Sequence, residues 1–168
     1  MDLYSIDKLM HETRQLAAKY RETTGSTLPV TGEIARFDAA QSLGLELIND
    51  PNSAIDALGK KGSSRENKRI IIKGRAIFDA GKASPRIGQV NPEQDWDLAV
   101  LVLFDDQYEV EEIYEASREA IADALENKKD SNRKKRGAMS IAQFKIIGER
   151  VWTRENGEET AIWDNQED

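Results

Sequence analysis

The chain contains no cysteine and only one histidine, His11. The first absence excludes disulfides, thiolate metal sites and cysteine nucleophiles. The second leaves any Ser–His triad, His-rich zinc site or histidine base resting on one residue. His11 lies in an amphipathic N-terminal segment with no activating neighbour in sequence, so it reads as a solvated side chain. No run of 18 apolar residues is present either, and no membrane-spanning helix is expected. The start of the chain carries Asp2 and Asp7 and lacks the basic-then-apolar order of a secretory signal. The expected location is therefore the cytoplasm. Acid–base or metal chemistry, if present, must run on carboxylates and lysine.

What the chain does have is charge, unevenly distributed. The net charge is −7, which by itself argues against a nucleic-acid partner. Yet Lys60, Lys61, Arg65, Lys68, Arg69, Lys73 and Arg75 face one acid, Glu66, within a short stretch, and Arg133-Lys134-Lys135-Arg136 forms a second basic run. Between Glu93 and Glu126, acids dominate and Arg118 is the only base. An acidic protein can still present a positive stripe on one side.

At 168 residues the chain is expected to form one domain. We place it at 1–154, with 155–168 as an acidic tail that only Ile162 and Trp163 could anchor. Leu3, Ile6, Leu9, Met10, Leu16, Ala17 and Tyr20 recur at helical spacing and predict a helix over 3–22 with these residues inward. A second helix follows Thr31, with Ile34, Phe37, Ala40 and Leu43 on its buried face and Glu33 in its first turn. The period then shortens. Residues 54–58 read as a strand, and 68–78 as another, with one face packed and the other basic except at Ile71. Residues 79–95 read as a loop. The unbroken run 98–104 marks a central strand covered on both faces, and 110–116 a more exposed one. Ser117 caps a helix over 118–127, and 128–137 is a basic linker. Ser140 and Gln143 have capping-box spacing for a last helix over 141–151. Helices flanking a mixed sheet place the chain in the α/β class.

Glu33 on a helix, Asp56 on the next strand and Ile71-Ile72-Lys73-Gly74-Arg75 on the one after occur in a telling order. The stretch from Gly32 to about Phe104 resembles the PD-(D/E)xK superfamily of restriction-endonuclease-like nucleases. The whole chain also looks like a bacterial family of unassigned function sharing that core, with Trp96-Asp97 before the central strand and Glu112 to Ala116 after it. The resemblance implies a restriction-endonuclease-like mixed central sheet of about four strands flanked by helices. It also implies a nuclease acting on DNA phosphodiesters, with Glu33, Asp56 and Lys73 as catalytic residues. A divalent cation, Mg²⁺ or Mn²⁺, would sit on Asp56, Glu33 and the Ile72 backbone carbonyl, neutralising phosphorane charge and acidifying a water. Lys73 would orient that water and steady the phosphate. Many members are dimers, so a homodimer is implied as well.

One position departs from the pattern. Where the superfamily carries Asp, Glu or Gln, this chain has Ile71, and an alkyl group binds no cation. Metal affinity would rest on the remaining oxygens unless Glu46 or Asp79 moved in. Lys60, Lys61, Arg65, Lys68, Arg69, Arg75 and Arg133 to Arg136 are the candidate nucleic-acid contacts, with Arg86 and Lys145 secondary. Such contacts position a backbone without reading sequence, and DNA is favoured with RNA as a second candidate. The alternative is a non-catalytic DNA-binding or protein-interaction module that keeps the nuclease fold and offers its acidic surface to a basic protein.

Overall fold

A computed structural model describes residues 5–78, 86–127 and 138–159. The first helix, α1 (Ile6–Thr24), starts where the Ser5 side chain accepts a hydrogen bond from the Lys8 N–H, and it stops at Gly25. Next, α2 (Thr31–Leu43) runs into β1 (Leu45–Leu47), β2 (Ala57–Gly59) and β3 (Arg69–Ala76). After β4 (Arg86–Gln89) come β5 (Leu98–Phe104), β6 (Val110–Ser117) and α3 (Arg118–Glu126). The last elements are β7 (Ala138–Ser140), α4 (Ile141–Ile147), β8 (Glu149–Thr153) and β9 (Gly157–Glu158). Ser117 and Ser140 cap α3 and α4 as their spacing predicts, accepting from the Ala120 and Gln143 N–H groups.

The sheet is larger than expected. It has seven strands in the order β1-β2-β3-β5-β6-β8-β9, not about four, and β4 with β7 forms a separate two-stranded ribbon. All neighbouring pairs are antiparallel except β3 and β5, which run parallel from Ile70↔Leu98 to Ala76↔Phe104. The strands added to the sheet are very short (β1 and β9) or hidden inside a stretch read as helix (β8). The predicted helix over 141–151 ends at Ile147, and Glu149–Thr153 continues as β8. Trp152 there pairs with Ile113 in the sheet.

Both faces of the sheet are covered. Val100, Val102 and Phe104 of β5 join Ile70 and Ile72 beneath α1 and α2. Ala99, Leu101 and Leu103 join Ile71 on the other face, beneath α3, α4 and the β4–β7 ribbon. This is the physical reason for the continuous apolar run. It also corrects the reading of β3. The face expected to be basic is closed over Ile71, which is only 8% exposed.

Gly74 sets how close α2 lies. A Cβ there would stand 2.5 Å from the Ala35 Cβ and 3.2 Å from the Thr31 carbonyl oxygen. The Arg14 guanidinium locks the upper helices, forming a bidentate pair with Asp38 of α2 and donating to the Tyr108 carbonyl at 2.8 Å. Burial opposes the charge on Asp38 and raises its pKa, and Arg14 holds the carboxylate in place against that cost.

Candidate functional site

Asp56 immediately precedes β2, where the strand leaves its regular ladder with β3. Its backbone N–H reaches the Ile70 carbonyl at 2.9 Å, and its side chain turns toward the β3 edge. One carboxylate oxygen accepts from Arg36 Nη1 at 2.6 Å, the other from the Ile72 backbone N–H at 2.8 Å. Arg36 also donates to the Ile48 carbonyl at 2.8 Å. Thus one guanidinium from α2 ties the β1–β2 connection to the helix, and Asp56 supplies a ladder bond where β2 has not yet begun. Charge-assisted bonds of this kind are the stronger class.

Glu33 lies one turn before Arg36, 3.8 Å from its Nε, with a side chain 77% exposed. A cleft of about 320 Å³ opens over this group, lined among others by Glu33, Arg36, Asn49, Asp50, Ser53 and Asp56. The fold therefore brings together Asp56, Glu33 and the Ile72 backbone around an arginine that the sequence reading overlooked. Its signal was present: a base one helical turn beyond Glu33 shares a face with it.

Lys73 is not part of this group. Successive residues on a strand alternate faces, so Lys73 leaves β3 on the Ile71 side, while Ile72 and Gly74 face α2. Glu33 is carried by α2 over one face of the sheet, and Lys73 leaves β3 on the other. Lys73 is half-buried, and its side chain makes no hydrogen bond or ion pair with the described residues. Glu46 is exposed on β1, and Asp79 lies outside the described residues.

A divalent cation does not fit the site as built. The Ile72 carbonyl does leave the strand on the same edge as its N–H, toward Asp56, but the side chains do not complete the set. Both Asp56 oxygens already receive donors, one of them a cation, and Ile71 offers an alkyl group within the core. Among the described residues no group of three or more Asp, Glu or His side chains is placed to hold a metal ion.

The basic residues separate into distinct environments. Lys60, Lys61 and Lys68 are exposed around the β2–β3 turn. Arg65, in the same turn, is 6% exposed and paired with Glu115 at 2.7 Å and Glu158 at 3.0 Å. The turn folds back so tightly that a Cβ at Gly59 would lie 1.6 Å from the Arg65 carbonyl oxygen. Arg69 is held by Asp97 at 3.1 Å. Arg75 donates to the Arg86 and Gly74 carbonyls at 2.7 and 2.6 Å, and burial lowers its pKa. Arg86 is exposed at the start of β4. Lys145 lies 3.6 Å from Glu112. Arg133 to Arg136 lie outside the described residues.

Part of the acidic stretch is committed to partners, while Glu93, Asp95, Asp106, Glu111, Glu119, Asp123 and Glu126 stay exposed. Asp97 holds Arg69, Asp105 holds Arg154 at 2.7 Å, and Glu115 holds Arg65, while Glu112 lies near Lys145 and Arg150. Beside Glu112, burial and that carboxylate push the Tyr114 hydroxyl up to about 12. No protein-family model matches this chain, and no curated protein matches it.

Proposed function

We propose that this chain is a catalytically degenerate nuclease-like protein that holds a nucleic-acid backbone, DNA by preference, without cutting it. The observation that carries the reading is the state of Asp56. Its carboxylate, the one residue the superfamily pattern most needs for metal, is tied to Arg36 and the Ile72 N–H. Support for the nuclease-like part comes from chain order: a helix with Glu33, then Asp56 at the start of β2, then Lys73 on β3, which pairs parallel with β5. The exposed lysines of the β2–β3 turn, which form no ion pair among the described residues, are contacts left for phosphate once Arg65 and Arg69 are spent on carboxylates. A basic protein partner would have to use the exposed carboxylates, such as Glu93, Asp95 and Glu119, since Asp97, Asp105 and Glu115 already hold arginines.

The test is binding of a short DNA duplex across a salt series, with Mg²⁺ and then Mn²⁺ present. We expect intact DNA and an affinity that falls with salt, with a slope of about −0.9 per phosphate contact. Replacing Lys60, Lys61 and Lys68 together by alanine should flatten that slope by roughly 2 to 3. Salt-independent or absent binding overturns the nucleic-acid assignment. Mn²⁺-dependent cleavage that disappears in Asp56→Ala overturns the degenerate one.

A further inference from the structure

The N-terminal helix buries the wrong residues for a helix that serves only its own core. Of the side chains expected inward, Ile6 is 68% exposed, Leu9 43%, Leu16 61% and Tyr20 39%. Ala17 and Met10, also expected inward, do pack, and Arg14 and Ala18 join them. The exposed apolar residues are not scattered. Together with half-buried Thr13 they fall at positions 6, 9, 13, 16 and 20, a repeating spacing of three and four. That is the a/d seam of a coiled coil, which lies as a stripe beside the packed face rather than on it. Thr13 does not break the seam, because its hydroxyl donates to the Leu9 carbonyl at 2.7 Å and leaves its methyl group to pack.

The flanks of the stripe identify what covers it. In this register Met10 and Ala17 occupy the e positions and turn into the domain, so one flank is closed. The open flank is the g row, where Glu12 and Lys19 stand exposed and opposite in charge. In an antiparallel pair g residues meet g residues, so Glu12 of one copy faces Lys19 of the other, twice by symmetry. A parallel pair would set Glu12 and Lys19 against e positions that carry no charge. A two-fold, isologous contact needs this self-complementarity. Lys19 also lies 3.5 Å from Glu22 on its own helix, an exposed pair that leaves it free to turn.

We propose that α1 is a self-association element through which two copies of this chain form an antiparallel helix pair. Leu9 packs against Tyr20 of the second copy, and Thr13 against Leu16. This element lies apart from the Asp56 cleft, and the proposal stands or falls independently of nucleic-acid binding.

The experiment is sedimentation velocity on the intact chain over a concentration series, with circular dichroism confirming that each variant keeps its fold. A reversible two-chain species is expected. Leu16→Glu should weaken it about tenfold or more, because a carboxylate would be buried in the seam without a partner. Glu12→Lys and Lys19→Glu should each weaken it roughly threefold or more, and the two changes together should restore it. Because the chain has no cysteine, Lys8→Cys accepts a single spin label. Antiparallel packing separates the two labelled positions by roughly 20 Å along the helix axis, whereas parallel packing leaves them level. A monomer at every concentration overturns the proposal, as does a dimer indifferent to Leu16→Glu. Failure of the double charge reversal to restore association, or level labels, overturns the antiparallel arrangement.

Discussion

Replacing Asp56 by alanine should behave as a lesion in the fold. The carboxylate satisfies the N–H of Ile72, a residue only 6% exposed, and the charge of Arg36, whose side chain is 19% exposed. Stranding a buried N–H costs about 1–3 kcal/mol. Removing the partner of a partly buried arginine adds roughly 1 kcal/mol, discounted because the Asp56 side chain is 30% exposed and Arg36 keeps the Ile48 carbonyl. The sum is about 2–4 kcal/mol, or a fall in Tm of roughly 5–12 °C for a domain of this size. Asp56→Asn retains an acceptor for the Ile72 N–H and loses only the charge, so it should fall by about 2–4 °C. Thermal and urea unfolding followed by circular dichroism would measure both. A catalytic carboxylate held for function is commonly a site of strain, and its removal stabilises. An unchanged or raised Tm in Asp56→Ala would therefore refute the structural role and return Asp56 to catalysis.

Gly74→Ala should destabilise by about 1–3 kcal/mol, since the new methyl group would meet the Ala35 Cβ at 2.5 Å and α2 must lift. Ala35→Gly in the same molecule should recover part of that loss, and a double-mutant cycle without coupling would show that the two residues do not meet. The Arg69 side chain, with help from its backbone N–H, holds the Asp97 carboxyl below the usual carboxylate range. A depressed carboxylate stabilises the fold fully above its unfolded value of about 3.9, and this contribution is lost as the pH falls through the folded value. The stability gap between the parent and Asp97→Asn should thus be widest near neutrality and close in acid, as measured by denaturant titration. A gap independent of pH, or an Asp97 pKa by NMR at or above the ordinary value, would contradict the pairing.

How much of this was legible beforehand depends on the range of each signal. Ser117 and Ser140 act on N–H groups three residues away, so those helix starts can be read locally, whereas the apolar spacing predicts the first helix from residue 3 and it begins after the Ser5 cap. The run from Leu98 to Phe104 announces a strand covered on both faces, and the two core clusters divide it residue by residue. Very short strands such as β1 and β9 leave no periodic signal, because two or three residues cannot establish a period; they exist through pairing with β2 and β8. At 141–153 apolar residues fit either period, and only the pairing of β8 with β6 decides between helix and strand.

Composition and residue order set which chemistry was available. The chain has no thiols, one histidine, and a carboxylate–lysine order with an alkyl group at Ile71 where a ligand is needed. Tertiary structure alone decided how those groups are used. Asp56 meets Arg36 across twenty residues of chain, Lys73 lies across the sheet from Glu33, and Arg65 is drawn inward by Glu115 and Glu158 from far along the chain. The physical reason is that residue identity is fixed locally, whereas the partner of a charge is set by which elements pack together. In α1 the apolar spacing specifies a helix with a wide apolar side, and the packing of Ala17 and Ala18 against α2 decided that the flank from Ile6 to Tyr20 would face outward.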